Sequence, residues 1–230
     1  MELPPLHILY EDNHCLAIAK PPGALTTGYE GGEETLDRQV KQYLKEKHNK
    51  PGNVFLGVVH RLDRPVSGVL LYARTSKAAG RLAEQFREGQ TTKLYWAIVA
   101  GQVEPTQALL EDWLWKDHQT GIVSVRPPND PQAKQARLEY RRLGTDSRRS
   151  WVEVRLLTGR THQIRVQFAS RGYPLYGDTK YGSQEDFGPL IGLHARSLTF
   201  LHPIQYEPIT LTAALPPAWA RFQPLGLPAP

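Results

Sequence analysis

The chain has a single cysteine, Cys15, so it can form neither an internal disulfide nor a thiolate zinc cluster. Its eight histidines include no pair at the i, i+4 spacing of a zinc-binding helix, and metal catalysis finds no support in the sequence. No apolar run approaches the roughly 18 residues that would suggest a membrane span. The opening stretch MELPPLHILYEDNH lacks both the basic and apolar regions of a secretory signal and the Arg/Ser-rich character of a transit peptide. The expectation is a cytoplasmic protein with no membrane attachment. No internal repeat of about 20 to 50 residues occurs, which excludes solenoids and propellers. There is no cofactor motif either.

What is present is ordinary in bulk: 230 residues, 40% hydrophobic and 22% charged, enough to bury a core as one large domain or two intimate lobes. Cys15 lies in the apolar run CLAIA and reads as an inert packed thiol. The net charge of +5 is unevenly spread. Residues 134–171 carry ten basic side chains (Lys134, Arg137, Arg141, Arg142, Arg148, Arg149, Arg155, Arg160, Arg165, Arg171) against Glu139, Asp146 and Glu153, a local +7. Nine of the ten are arginine, whose planar fork suits phosphates and stacks on bases; the pattern fits a nucleic-acid partner as well as it fits a solvated strand face.

Short apolar runs rich in β-branched and aromatic residues recur: HILY, CLAIA, VFLGVV, GVLLYA, KLYWAIVAG, GIVSV, ARLEYRRL, WVEVRLL, SLTFL and ITLTA. Several alternate with period two, as Val152, Val154 and Leu156 do. Three helices stand between them. Thr35 can cap one with Leu36, Val40, Tyr43 and Leu44 on its face. Ser76 can cap a second, ended by Gly89, and THQIRVQFASRG supplies a third, starting at Thr161 and ending at Gly172. The predicted class is α+β with a mixed, largely antiparallel sheet. Residues 216–230 hold five prolines and read as an extended tail behind a domain spanning 1–215.

Four stretches could carry chemistry. In VVHRLDRPVSG an apolar run stops at His60 and resumes after Gly68, so the polar segment must lie at a strand end or loop. Asp63 there, between Arg61 and Arg64, has its ionised form favoured, as nucleophile, base or turn salt bridge. LLTGRTHQIRVQF presents Arg165 from a helix, with Thr161 one turn before it on the same face. KLYWAIVAG puts Tyr95 with Lys93, Ala97 and Val99 on one strand face, a platform for stacking a base or a core tyrosine. Asp178 and His194, in turn-rich segments, admit acid/base readings but fit common structural roles better.

Together and in order these stretches resemble the RluA-type branch of the RNA pseudouridine synthases. The matching blocks are YEDNHCLAIAKPPG (10–23), HRLDRPVSGVLL (60–71), KLYWAIVAG (93–101), TGRTHQIRVQ (158–167), YPLYGDTKYG (173–182) and LHARSLTFLHP (193–203). The resemblance implies an isomerase that converts specific uridines of structured rRNA or tRNA to pseudouridine after flipping the base, without metal or cofactor, on a mixed sheet in two lobes with the active site in the cleft between them. It implies Asp63 as the catalytic carboxylate, Tyr95 beneath the flipped uracil, and Arg165 paired with Asp63. It also implies Arg61 as the occupant of the vacated stack, and Arg160 as a contact to the RNA backbone or a support of its loop.

Two departures from the family pattern stand out. Gln167 occupies a position where many members carry histidine, implying altered hydrogen bonding behind the site without loss of catalysis. LHILYEDNH begins at Leu6, leaving no room for the small N-terminal RNA-binding domain of many members. RNA binding would then rest on the basic segment, Arg148 and Arg149 included, in a protein expected to be a monomer. The competing readings are a catalytically silent RNA-binding or chaperone protein on the same fold, and a hydrolase built on Asp178 or His194.

Overall fold

The computed structural model describes residues 3–28 and 32–228. The chain forms two units, one from residues 1–91 and 195–214, the other from 92–194 and 215–230.

In the first unit β1 (Ile8–Glu11) and β4 (Ser67–Ala73) both pair antiparallel with β2 (Cys15–Lys20), and the short β3 (Gly57–Val58) pairs with β4. Every residue of β4 is buried, and both faces of β2 are covered. That is why CLAIAK and SGVLLYA are continuous apolar runs instead of alternating ones. On one face Cys15, Ala17, Val69, Leu71 and Ala73 pack with Ala78 and Leu82 of α2 (Ser76–Arg87). The same cluster takes in Leu198, Phe200 and Leu211 from β10 (Leu193–Leu201) and β11 (Pro208–Thr212), an antiparallel pair. Helix α1 (Leu36–Lys47) buries Leu36, Val40 and Leu44, the stripe its spacing predicts. Its cap position is Thr35, whose hydroxyl bonds Asp37 instead of a backbone N–H. The second helix is capped by Thr75, one residue before the predicted Ser76, through a 3.2 Å bond from the Ala78 N–H.

In the second unit five antiparallel strands lie in the order β5 (Thr92–Ala100), β9 (Arg149–Leu156), β8 (Lys134–Thr145), β6 (Gln107–Lys116), β7 (Val123–Arg126). The ten-residue β6, QALLEDWLWK, was not anticipated. Leu110 and Leu114, its two buried residues, are spaced four apart, a pattern that suits a helix turn equally well; the ladders to β8 and β7 decide for the strand. Helix α3 (Gln163–Ala169) is shorter than predicted. It starts after His162, which adopts a left-handed conformation (φ 52°), so Thr161 precedes the helix and is exposed while Arg165 is buried. Residues 217–225 are a 3-10 helix, not the extended tail the prolines suggest. Trp219, Phe222 and Leu225 of that helix are core residues, packed with Ile98, Trp151, Tyr176 and Phe187. Gly144 admits this helix: a Cβ there would lie 1.9 Å from the Leu225 carbonyl oxygen.

Candidate active site

The HRLD segment is a loop tied down in the first unit from several directions. Leu62 is buried, and its backbone exchanges hydrogen bonds with the Thr26 hydroxyl, which donates to Leu62 O at 3.0 Å and accepts from Leu62 N at 3.3 Å. The Val66 N–H closes a turn on Asp63 O at 3.0 Å. His60 accepts the Leu71 N–H at 2.9 Å and stacks on Phe86.

Lys20, the lysine of KPPG, is 1% exposed and donates to Pro21 O (3.0 Å), Arg64 O (3.0 Å) and Val66 O (2.7 Å). Burial pushes its ammonium down, to about 7, against the opposing attraction of the Asp63 charge. Three carbonyls match the three N–H donors of an ammonium, one more than a neutral amine can supply, so the cage suits the charged form. Asp63 is half-buried on this loop with that cation in its field.

Sequence reasoning looked to the flanking arginines for this role. Arg64 instead forms a two-pronged ion pair with Glu33, both contacts 3.2 Å, and donates from Nε to Gly23 O. Arg61 is exposed. The signal for Lys20 was present as a lysine ending an apolar run before PPG, but what it reaches lies 44 and 46 residues away.

The second unit carries Tyr95 and Arg165. Tyr95 is half-buried in β5, opposite Val154 of β9. Arg165 is 5% exposed and grips Asp178 with Nε to Oδ2 at 2.7 Å and Nη2 to Oδ1 at 2.8 Å. Its guanidinium lies 5.0 Å from the Tyr181 ring centroid, whose hydroxyl accepts the Val123 N–H and sits 2.6 Å from His162 Nδ1. Asp178, only 1% exposed, is thus an anchor for Arg165. His194 is buried beside Trp219.

The TGRT turn is held by Gln163, which sequence reasoning passed over. Its Oε1 accepts from the Thr158 hydroxyl (2.8 Å) and Arg160 N (3.0 Å), and its Nε2 donates to Arg137 O (3.0 Å). Gln167, fully buried, donates to Asp112 Oδ2 at 2.7 Å and Ala136 O at 3.3 Å.

The basic segment looks different once folded. Seven of its ten cations are ion-paired: Arg137 with Glu111, Arg141 with Glu153, Arg142 with Glu104, Arg149 with Asp146, Arg155 with Glu139, Arg165 with Asp178 and Arg171 with Asp112. Four of those carboxylates come from outside the segment, which counting charge along the chain could not show. Lys134, Arg148 and Arg160 have no carboxylate partner among the described residues, and all three are exposed. Arg149 also lies over the Tyr176 and Phe222 rings at 5.9 and 5.6 Å, a packing role.

Asp12, Cys15 and His202 bring potential metal ligands within 4.8 Å of one another. His202 Nδ1 accepts the Gln205 and Ile204 N–H groups, which puts the ring proton on Nε2, where it is donated to Asp12 Oδ2 at 2.7 Å. Burial pushes the Cys15 thiol up to about 12. These hydrogen bonds make the cluster a structural joint, around the packed thiol the sequence predicts.

A β-rich α+β chain in two units, with HRLD on a tethered turn and HQIR in a short buried helix, has the architecture of a pseudouridine synthase. The chain belongs to the RNA pseudouridylate synthase family, which it matches over residues 14–170. It is 34% identical over 229 residues to an uncharacterized RNA pseudouridine synthase of Synechocystis sp., covering 96% of this chain and 68% of the relative. It is 33% identical to the ribosomal large subunit pseudouridine synthase C of Vibrio cholerae, over 90% of this chain and 65% of that one. With the tRNA pseudouridine synthase C of Haemophilus influenzae it shares 31% identity over 94% and 96% of the two chains. Among solved structures, human RNA pseudouridylate synthase domain containing 4 superposes with a TM-score of 0.78 at 24% identity, covering 94% of this chain and 93% of that one, a likeness of fold. The protein is an RNA pseudouridine synthase, an isomerase acting on RNA. Among the described residues no helix is long and apolar enough to cross a membrane.

Proposed function

We propose that this enzyme isomerises specific uridines of structured rRNA or tRNA with Asp63 as the catalytic carboxylate. The observation that carries the proposal is the tethering of the Asp63 loop by Lys20, Thr26 and Gly23, which fixes a half-buried carboxylate beside a buried cation. The reaction breaks the bond from ribose carbon 1′ to uracil N1 and forms one from carbon 1′ to carbon 5. The proton lost at carbon 5 is matched by one gained at N1, so no redox partner or second substrate enters. Addition of the carboxylate to carbon 1′ and removal of a proton from carbon 2′ are both open to Asp63, and both need it ionised.

The uracil leaves its stack at a cost of about a few kcal/mol, which protein contacts offset. Arg61, exposed on the same loop, enters the gap; Tyr95 stacks beneath the flipped base and serves the proton transfer at carbon 5. Arg165, oriented by Asp178 in the second unit, is the arginine that the family pattern assigns to hold the geometry of the catalytic carboxylate. Arg160, past the end of β9, and Arg148, at the turn before that strand, meet the RNA backbone, with Arg149 next to Arg148. In this reading the enzyme works as a cytoplasmic monomer without cofactor, and the silent RNA-binding alternative is not favoured because its relatives are synthases by name.

The test is Asp63→Asn with in vitro transcribed rRNA and tRNA, read by carbodiimide primer extension. An amide can act neither as nucleophile nor as base, so pseudouridine formation is expected to vanish while RNA binding is kept. Pseudouridine made by the variant would remove Asp63 from the mechanism.

A further inference from the structure

A cleft of about 990 Å³ opens in the second unit between the end of β6, the start of β8 and the TGRT turn. It is lined by Leu114, Trp115, Lys116, Asp117, Lys134 and Arg160, together with His118 and neighbouring polar residues. Two of the three unpaired cations of the basic segment, Lys134 and Arg160, meet here, and Lys116 joins them from β6 with no carboxylate partner among the described residues. Arg160 donates from Nε to Gln135 O at 2.9 Å, which fixes the guanidinium and leaves its two terminal nitrogens without a protein partner among the described residues.

The one acid, Asp117, is turned to its own loop: Oδ1 accepts the Gln119 N–H at 2.8 Å and Oδ2 the Thr120 hydroxyl at 2.7 Å. Trp115 alternates to the other face of β6, where the Arg126 guanidinium lies 4.7 Å from its ring centroid. On β8 and β9 the arginines Arg137, Arg141, Arg142, Arg149 and Arg155 are each ion-paired. In this cleft the fold leaves three cations, from three separate segments, open to solvent.

We propose that this cleft holds the RNA strand flanking the target uridine, with Lys116, Lys134 and Arg160 each meeting a phosphate. The proposal rests on the reading of the chain as an RNA pseudouridine synthase and adds the subsite that guides the strand. Cations spread over separate segments match a chain of phosphates better than the converging donors a free nucleotide would need. The volume is at the upper end of small-ligand pockets and suits more than one nucleotide. Gly159, Arg160 and Thr161 line the cleft, and the same segment continues into the helix that carries Arg165.

The test uses the full chain, a fluorescein-labelled 12-nucleotide oligouridylate for anisotropy, and tritium release from transcripts carrying [5-³H]uridine. Removing two phosphate contacts with Lys116→Gln/Lys134→Gln should flatten the slope of log affinity against log salt by about 1.4, each single variant by about 0.7. KM for the transcripts should rise about tenfold or more with kcat within about twofold, the signature of lost uniform binding. The control Lys45→Gln/Lys77→Gln removes the same charge from α1 and α2, and both measurements should stay at wild-type values. If the groove variants keep the wild-type slope and KM, the cleft does not hold RNA. Displacement of the oligouridylate by stoichiometric uridine monophosphate would make the cleft a mononucleotide site and overturn the strand proposal. Absence of tritium release from the wild type would overturn the functional reading instead, while anisotropy still reports on the cleft.

Discussion

Asp178→Asn isolates the anchor of Arg165. The wild-type pair places two guanidinium N–H donors at 2.7 and 2.8 Å from the two carboxylate oxygens, with both side chains almost wholly buried. Asparagine of the same shape keeps one oxygen as a neutral acceptor and turns an NH₂ toward the other donor, so one hydrogen bond weakens and one becomes a donor–donor clash. A charge-assisted bond contributes about 1.5–3 kcal/mol, and removing one partner of a buried pair costs about 3–5 kcal/mol. The expected loss is therefore about 3–5 kcal/mol, a large fraction of the roughly 5–15 kcal/mol that holds a protein folded.

The measurement is urea unfolding followed by tryptophan fluorescence. All five tryptophans (Trp96, Trp113, Trp115, Trp151, Trp219) lie in the second unit, the one that contains the pair, so the signal reports the unit under test. Arg165→Met/Asp178→Leu should recover most of the lost stability, because apolar residues of similar size replace buried ion pairs at little cost. It should leave the enzyme unable to release tritium. An Asp178→Asn variant within about 1 kcal/mol of the wild type would show that the pair does not anchor Arg165.

Two further perturbations test the frame around the site. Gly68, at φ 121°, would place a Cβ 2.2 Å from the Ala195 carbonyl oxygen, so Gly68→Ala should cost about 3 kcal/mol or more and lower the melting temperature by several degrees; an unchanged melting temperature would refute the close approach. Burial alone would raise the Asp12 carboxyl, but bonds from the His14 and Cys15 N–H groups, Tyr10 and His202 hold it below the usual range. Its stabilisation is complete above about pH 4 and disappears as pH falls through the lower folded value. Asp12→Asn should therefore be less stable than the wild type at pH 6, with the gap closing toward pH 2 in acid-unfolding curves.

Periodicity and motif order were enough to predict an α+β fold, most of the strands, the buried stripe of α1 and the packed state of Cys15, because each depends on neighbours a few residues apart. The blocks around Asp63, Tyr95 and Arg165 were legible for the same reason: each is a continuous run. Pairings across the chain were not. The sequence set Arg61 and Arg64 beside Asp63, yet Arg64 pairs with Glu33, and the buried cation in the field of Asp63 is Lys20 from another strand. The sequence showed a block of ten basic residues, whereas folding matched seven of them to carboxylates, four of these brought in from other segments, and left Lys134 and Arg160 to join Lys116 in one cleft. A residue's spacing determines which face of a strand or helix it occupies. Which charge it meets depends on strand order and register, and those exist only after residues tens of positions apart have been packed together.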